Sequence, residues 1–157
     1  MLSGRPACSP DSSQIVYVSF EDGNPELYIS DPDGSNQRRL TNNLAGDFDP
    51  VWVAANKIFF TRDISGQIGE SDLWSINPNG TGLERLTNEA GAEENVTFSF
   101  DGKKIIFTHN NFGAGFSTPH IYFSEFENLA DSSKWKQLTT EGIVNRSPAW
   151  RPWPNQQ

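Results

Sequence analysis

One cysteine in 157 residues, Cys8, excludes an internal disulfide and gives no signal about redox compartment. Basic residues are scarce: twelve lysines and arginines stand against twenty aspartates and glutamates, for a formal charge of −8 and a pI near 4.6. A surface so poor in base cannot neutralise phosphates, which disfavours nucleic acid as a partner. It suits cations or a basic protein surface instead. Long apolar runs are absent too, and nothing approaches the roughly 20 residues of a membrane-spanning helix. Met1-Leu2-Ser3-Gly4 does not read as a signal peptide and leads straight into patterned sequence. Hydrophobic residues make up only 35% of the chain while aromatics reach 12%. That balance fits many short strands carrying aromatic plugs rather than layers of helix.

What is present is repetition. The first unit runs Pro6-Ala7-Cys8-Ser9-Pro10-Asp11, Ile15-Val16-Tyr17-Val18-Ser19, Leu27-Tyr28-Ile29-Ser30-Asp31-Pro32-Asp33-Gly34 and Arg39-Leu40-Thr41-Asn42. The second runs Pro50-Val51-Trp52, Lys57-Ile58-Phe59-Phe60-Thr61, Leu73-Trp74-Ser75-Ile76-Asn77-Pro78-Asn79-Gly80 and Arg85-Leu86-Thr87-Asn88. The third runs Val96-Thr97-Phe98-Ser99-Phe100-Asp101-Gly102, Ile105-Ile106-Phe107-Thr108, Ile121-Tyr122-Phe123-Ser124 and Gln137-Leu138-Thr139. The Leu-Thr pair returns 46 residues after Leu40 and 52 after Leu86. Four short β-rich runs in a unit of this length are the signature of propeller blades. Asp31-Pro32-Asp33-Gly34 and Asn77-Pro78-Asn79-Gly80 are turns, with Pro presetting φ and Gly taking the left-handed position.

These signatures resemble the TolB-like β-propeller repeat over Pro6 to Trp150. The resemblance implies an all-β fold of four-stranded antiparallel blades, with blade one at about 5–42, blade two at 49–88, blade three at 95–140 and an extra first strand at 147–153. It implies a periplasmic or extracellular setting as well. The sequence departs from the pattern at Cys8, where an aromatic is expected, at Val53-Ala54-Ala55-Asn56, at Phe100, and from Glu125 to Trp135, which lacks an Asp-Gly turn.

Strand alternation puts the long, variable loops on one face of the disc. That face collects Glu21, Asp22, Asp47, Asp49, Asp63, Glu70, Asp72, Glu89, Glu93, Glu94 and Glu141, against Arg62 and Arg146. One reading is a solvated rim. The other is a docking surface for a basic partner or a hard-cation site such as calcium near the channel mouth, with Asp47, Asp49, Asp63, Glu93 and Glu94 as binding residues. Phe112 and Phe116, in a Gly-rich loop, are candidate partner anchors. If the propeller were a carbohydrate-active or hydrolytic enzyme instead, Asp47, Asp49, Glu93 and Glu94 would be its carboxylates.

Three blades do not close a ring, since propellers need four to eight. TolB-like propellers have six, so two copies of this chain would complete one ring as a homodimer. Ser147-Pro148-Ala149-Trp150 repeats a first strand, so Trp150 and Trp153 together with Cys8 are the residues expected at such a closure. The same arc is equally what a fragment of a longer propeller would be. Cys8 is expected in a buried strand, and Trp135 and Trp153, outside the repeat, in exposed positions.

Other chemistry finds little support. His109 and His120 could sit side by side, but no third metal ligand stands at a characteristic spacing. The loop from Asp31 has Asn42 where a calcium loop needs Glu. There is no Gly-x-Ser-x-Gly motif. The residues together describe a non-catalytic interaction scaffold with no assigned cofactor.

Overall fold

The computed structural model describes residues 5–53, 57–64, 69–111, 118–140 and 147–150. Three sheets of antiparallel strands follow one another along it. The first contains β1 (Ala7–Cys8), β2 (Ile15–Ser19), β3 (Glu26–Ser30) and β4 (Arg38–Arg39). The second contains β5 (Asp47–Val53), β6 (Lys57–Asp63), β7 (Ser71–Ile76) and β8 (Glu84–Arg85). The third contains β9 (Ala92–Phe98), β10 (Lys104–Asn110), β11 (His120–Glu125) and β12 (Lys136–Gln137). A parallel bridge between Ser71 and Ala92 runs the second sheet into the third.

The Leu-Thr signature closes each blade by the same device. Leu40, Leu86 and Leu138 donate their N–H to the carbonyls of Leu27, Leu73 and Ile121. One residue on, the hydroxyls of Thr41, Thr87 and Thr139 accept the N–H of Leu27, Leu73 and Ile121 at 3.0, 2.9 and 3.0 Å. A two-residue outer strand thereby satisfies the start of its neighbour, which would otherwise hold buried unpaired donors. The Pro-Gly turns form as their sequence requires: Gly34 and Gly80 sit at φ 83° and 86° and donate to Asp31 and Asn77. Blade three, which lacks that turn, replaces it with two 3₁₀ turns at Phe126–Asn128 and Ser132–Lys134. The Asp131 carboxylate caps the second of them.

One apolar cluster fills each joint between blades. Val16, Leu27 and Ile29 of blade one meet Ile58, Phe60 and Ile76 of blade two, with Trp52 and Trp74 packed alongside. Leu73 of blade two meets Val96, Ile105 and Phe107 of blade three, flanked by Phe98 and Tyr122. The aromatics at equivalent blade positions, Trp52 and Trp74 at the first joint and Phe98 and Tyr122 at the second, therefore pack between neighbours.

Two expectations fail. Cys8 is exposed. Its neighbour Ala7 takes the side facing the first joint, so alternation turns Cys8 to the opposite face, where Trp52 and Phe98 in later blades meet a preceding blade. Trp135 is half-buried rather than exposed. Its indole N–H donates to Leu129 O at 2.9 Å, and its ring meets Phe107 edge-on at 4.8 Å. The 3₁₀ turns fold it back into the blade.

Candidate functional site at the innermost strands

The first strands of blades two and three, β5 and β9, carry the same irregularity. Their registers with β6 and β10 slip between Phe48 and Val51 and opposite Ile106 and Thr108. At the slips stand Asp49 and Asn95, both left-handed, with φ of 46° and 53°. Counted from Leu-Thr, the next residue in this series is Ser147, also left-handed at φ 54°. Asp and Asn tolerate this region better than most residues, and bulges of this kind re-aim side chains. The three positions line a cleft of about 310 Å³ together with Arg5, Pro6, Ala7, Trp52 and Thr97. Burial pushes the Asp49 carboxyl up to about 6, the charge of Glu94 adds to this, and Arg5 opposes it.

The other acidic residues of this face divide. Asp47 and Glu93, read from sequence as loop residues, lie inside β5 and β9 and are fully buried. Asp47 is gripped by Arg62, with Nε at 2.6 Å and Nη2 at 2.9 Å. Glu93 pairs with Nδ1 of His109 at 2.6 Å. Asp72 is likewise buried and pairs with Arg85 at 2.6 Å, and burial raises its carboxyl to about 6. Burial also raises Asp47, against the pull of Arg62. Asp63 is half-buried and raised by burial and by the charge of Asp47. Glu26, which charge counting passed over, is the centre of another buried network. Burial pushes it upward, but hydrogen bonds from Thr41, Asn43, Asn24 and Arg39 outweigh that and hold it below the usual range.

These pairs are spaced regularly in sequence: Glu26 to Arg39 and Asp72 to Arg85 within a blade, Asp47 to Arg62 and Glu93 to His109 across the two inner strands. That recurrence is the signal by which they could have been read. Their chemistry is structural, since none of the four carboxylates is open to solvent. His109 and His120 are register partners on β10 and β11. Among the described residues no three His, Cys, Asp or Glu side chains converge as metal ligands. Trp150 is half-buried and its indole N–H donates to Thr97 O at 3.3 Å, so the segment 147–150, which carries no strand pairing among the described residues, leans on blade three of its own chain. Phe112, Phe116 and Trp153 lie outside the described residues, as do Glu141 and Arg146.

Against known proteins, the TolB beta propeller domain model matches residues 1–156. The chain belongs to that family. A TolB homolog of Chlorobium luteolum is 35% identical over 113 residues, covering 71% of this chain and 25% of that protein. Dipeptidyl-peptidase 5 of Porphyromonas endodontalis is 31% identical over 107 residues, covering 64% of this chain and 15% of the enzyme. Among solved structures, TolB from Acinetobacter baumannii superposes with a TM-score of 0.74 at 24% identity, over 92% of this chain and 34% of that one. The chain thus spans about a quarter of the length of its TolB homolog.

Proposed function

We propose that this TolB-family segment is a non-catalytic scaffold that holds a protein segment or small ligand in the cleft at its innermost strands. Asp49, Asn95 and Arg5 are its polar floor, and Glu94 and Asp63 are part of the acidic surround. The observation that carries this reading is the left-handed residue repeated at Asp49, Asn95 and Ser147, at a register slip in the first two, which brings three polar residues to the lining of one cleft. An acidic chain with this cleft suits a ligand carrying positive charge. The reading takes with it the periplasmic or extracellular setting that family resemblance suggests. The enzyme alternative has less behind it, because two of its four carboxylates, Asp47 and Glu93, are fully buried and each already holds a side-chain partner, Arg62 and His109.

Capture of partners on immobilised chain tests the cleft. Asp49→Ala is expected to lower capture about tenfold, the worth of one charge-assisted contact. Asp33→Ala, on a turn of the opposite face, should leave it unchanged. Equal capture by all three proteins would sink the proposal.

Two copies closing a six-bladed ring, with Cys8 and Trp150 near the joints, is the assembly proposed with it. Light scattering behind size exclusion should then give about twice 17.5 kDa, retained on dilution. A stable mass of 17.5 kDa would favour a second reading, supported by coverage of only 25% of the TolB homolog: a structural part of a longer propeller.

A further inference from the structure

Carboxylates stand in pairs across the blade joints, and the second pair lacks the group that satisfies the first. At the first joint Asp47 N–H donates to Pro25 O at 2.9 Å, which brings Glu26 and Asp47 beside one another. Asn43 bridges them: its Nδ2 donates to Glu26 Oε2 at 3.2 Å and to Asp47 Oδ2 at 3.0 Å. At the second joint the parallel bridge between Ser71 and Ala92 sets the next residues, Asp72 and Glu93, side by side. Arg85 covers Asp72 Oδ2 and His109 covers Glu93 Oε1. Their remaining oxygens, Asp72 Oδ1 and Glu93 Oε2, are buried without a hydrogen-bond partner. Counting from the Leu-Thr pairs, the counterpart of Asn43 is Glu89, a third carboxylate in place of the amide.

We propose that the Asp72–Glu93 pair takes up one proton that the Glu26–Asp47 pair does not need, so that the joint between blades two and three tightens in mild acid and loosens as pH rises. Two buried like charges, each with a bare oxygen, are relieved when one is protonated, and the new O–H has a neighbouring carboxylate to donate to. A metal ion is the other remedy, but no three ligating side chains converge among the described residues. The charged groups facing the pair come from every strand around it. Arg85 approaches from β8 and His109 from β10; Arg62 stands opposite Asp72 on β6, with Asp47 of β5 beyond it. Asp63 is the register partner of Ser71, and Glu94 follows Glu93 on β9.

The two joints also differ in their response to acid. Burial drives Asp72 upward, Arg85 and Thr87 pull it back, and the charge of Glu93 helps hold it at about 6. A raised carboxyl stabilises the fold below its unfolded value and loses that contribution as pH climbs through about 6. At the first joint Glu26 is lowered, so its contribution is present above its unfolded value and fades only in stronger acid, while Asp47 is raised by burial against the pull of Arg62, so the two carboxyls partly offset one another. Asp49 and Asn95 lie on opposite sides of the second joint, so its loosening would alter the cleft between them.

Hydrogen exchange on the whole chain, corrected for intrinsic rates, separates the joints. Between about pH 5 and about pH 8, protection at the Ser71 and Leu73 amides is expected to fall about tenfold, while Leu27 and Asp47 hold steady. Glu89→Asn, which supplies the missing amide, should flatten that response, and Asp72→Asn should do the same. Parallel changes at both joints, or no change at Ser71 and Leu73, would overturn the proposal. So would a response that survives Glu89→Asn but disappears in His109→Gln, which would assign it to the imidazole. If Asp72→Asn does not fold, Glu89→Asn decides alone.

Discussion

Leucine in place of Arg62 is expected to cost the fold about 3–5 kcal/mol, the usual penalty for stranding one partner of a buried ion pair. Asp47 has no exposure, and Arg62 covers both of its oxygens. The same guanidinium lies 4.7 Å over the Trp74 ring and 5.3 Å over Phe60, so its plane is held by aromatic faces as well as by charge. Leucine would fill part of the volume but leave Asp47 with the weaker, neutral support of Asn43 and Thr41. Urea unfolding at neutral pH measures the loss. Because burial already pushes Asp47 upward, the stranded carboxyl should titrate higher still, and part of the loss should return in mild acid. Adding Asp47→Leu to the variant should recover more than half of the penalty, since both charges then leave the joint together. A single-variant cost below about 1 kcal/mol would mean that solvent reaches Asp47 and the pair is not sealed.

The parts of this fold that were legible in the sequence are those whose physics is local and repeated. Leu40-Thr41, Leu86-Thr87 and Leu138-Thr139 mark the blade ends because the leucine N–H and threonine hydroxyl must meet the start of the neighbouring strand. Pro-Asp-Gly and Pro-Asn-Gly turns declare themselves by φ alone. The joints were not legible in the same way. Counting charge by loop placed Asp47, Asp72 and Glu93 on a solvated face, yet each starts or enters a strand pressed against the adjoining blade. Burial there is set by the packing of two blades, which a single blade's pattern does not contain. Cys8 shows the same gap from the other side. Its strand reads as buried by analogy with Trp52, but the surface that covers Trp52 belongs to the preceding blade. The cleft had a faint trace in Asp49, Asn95 and Ser147, each nine residues after its Leu-Thr leucine, and what hid it was that the shared feature is a backbone angle rather than a residue type.

Phe107→Ala is expected to cost about 3–5 kcal/mol, as truncation of a fully buried phenylalanine does when the cavity cannot collapse. Phe107 has no exposure and belongs to the cluster that joins blade two, through Leu73, to Val96, Ile105 and Leu129 of blade three. Its ring also carries the back-folded Trp135 edge-on at 4.8 Å and stacks with Tyr122 at 6.1 Å. The surrounding strands are fixed by ladders on both sides, so relaxation into the void is restricted. Trp135 is the side chain best placed to move, because it stands on 3₁₀ turns rather than in a ladder. Chemical unfolding gives the total cost, and because the chain has five tryptophans, the emission lost on adding Trp135→Phe, compared with and without Phe107→Ala, reports whether Trp135 has shifted into the space. A large cost with unchanged emission would describe a rigid joint that keeps its cavity. A cost below about 1.5 kcal/mol with shifted emission would mean that the indole refills the core, and that the turn replacing the Asp-Gly corner is an adjustable part of blade three.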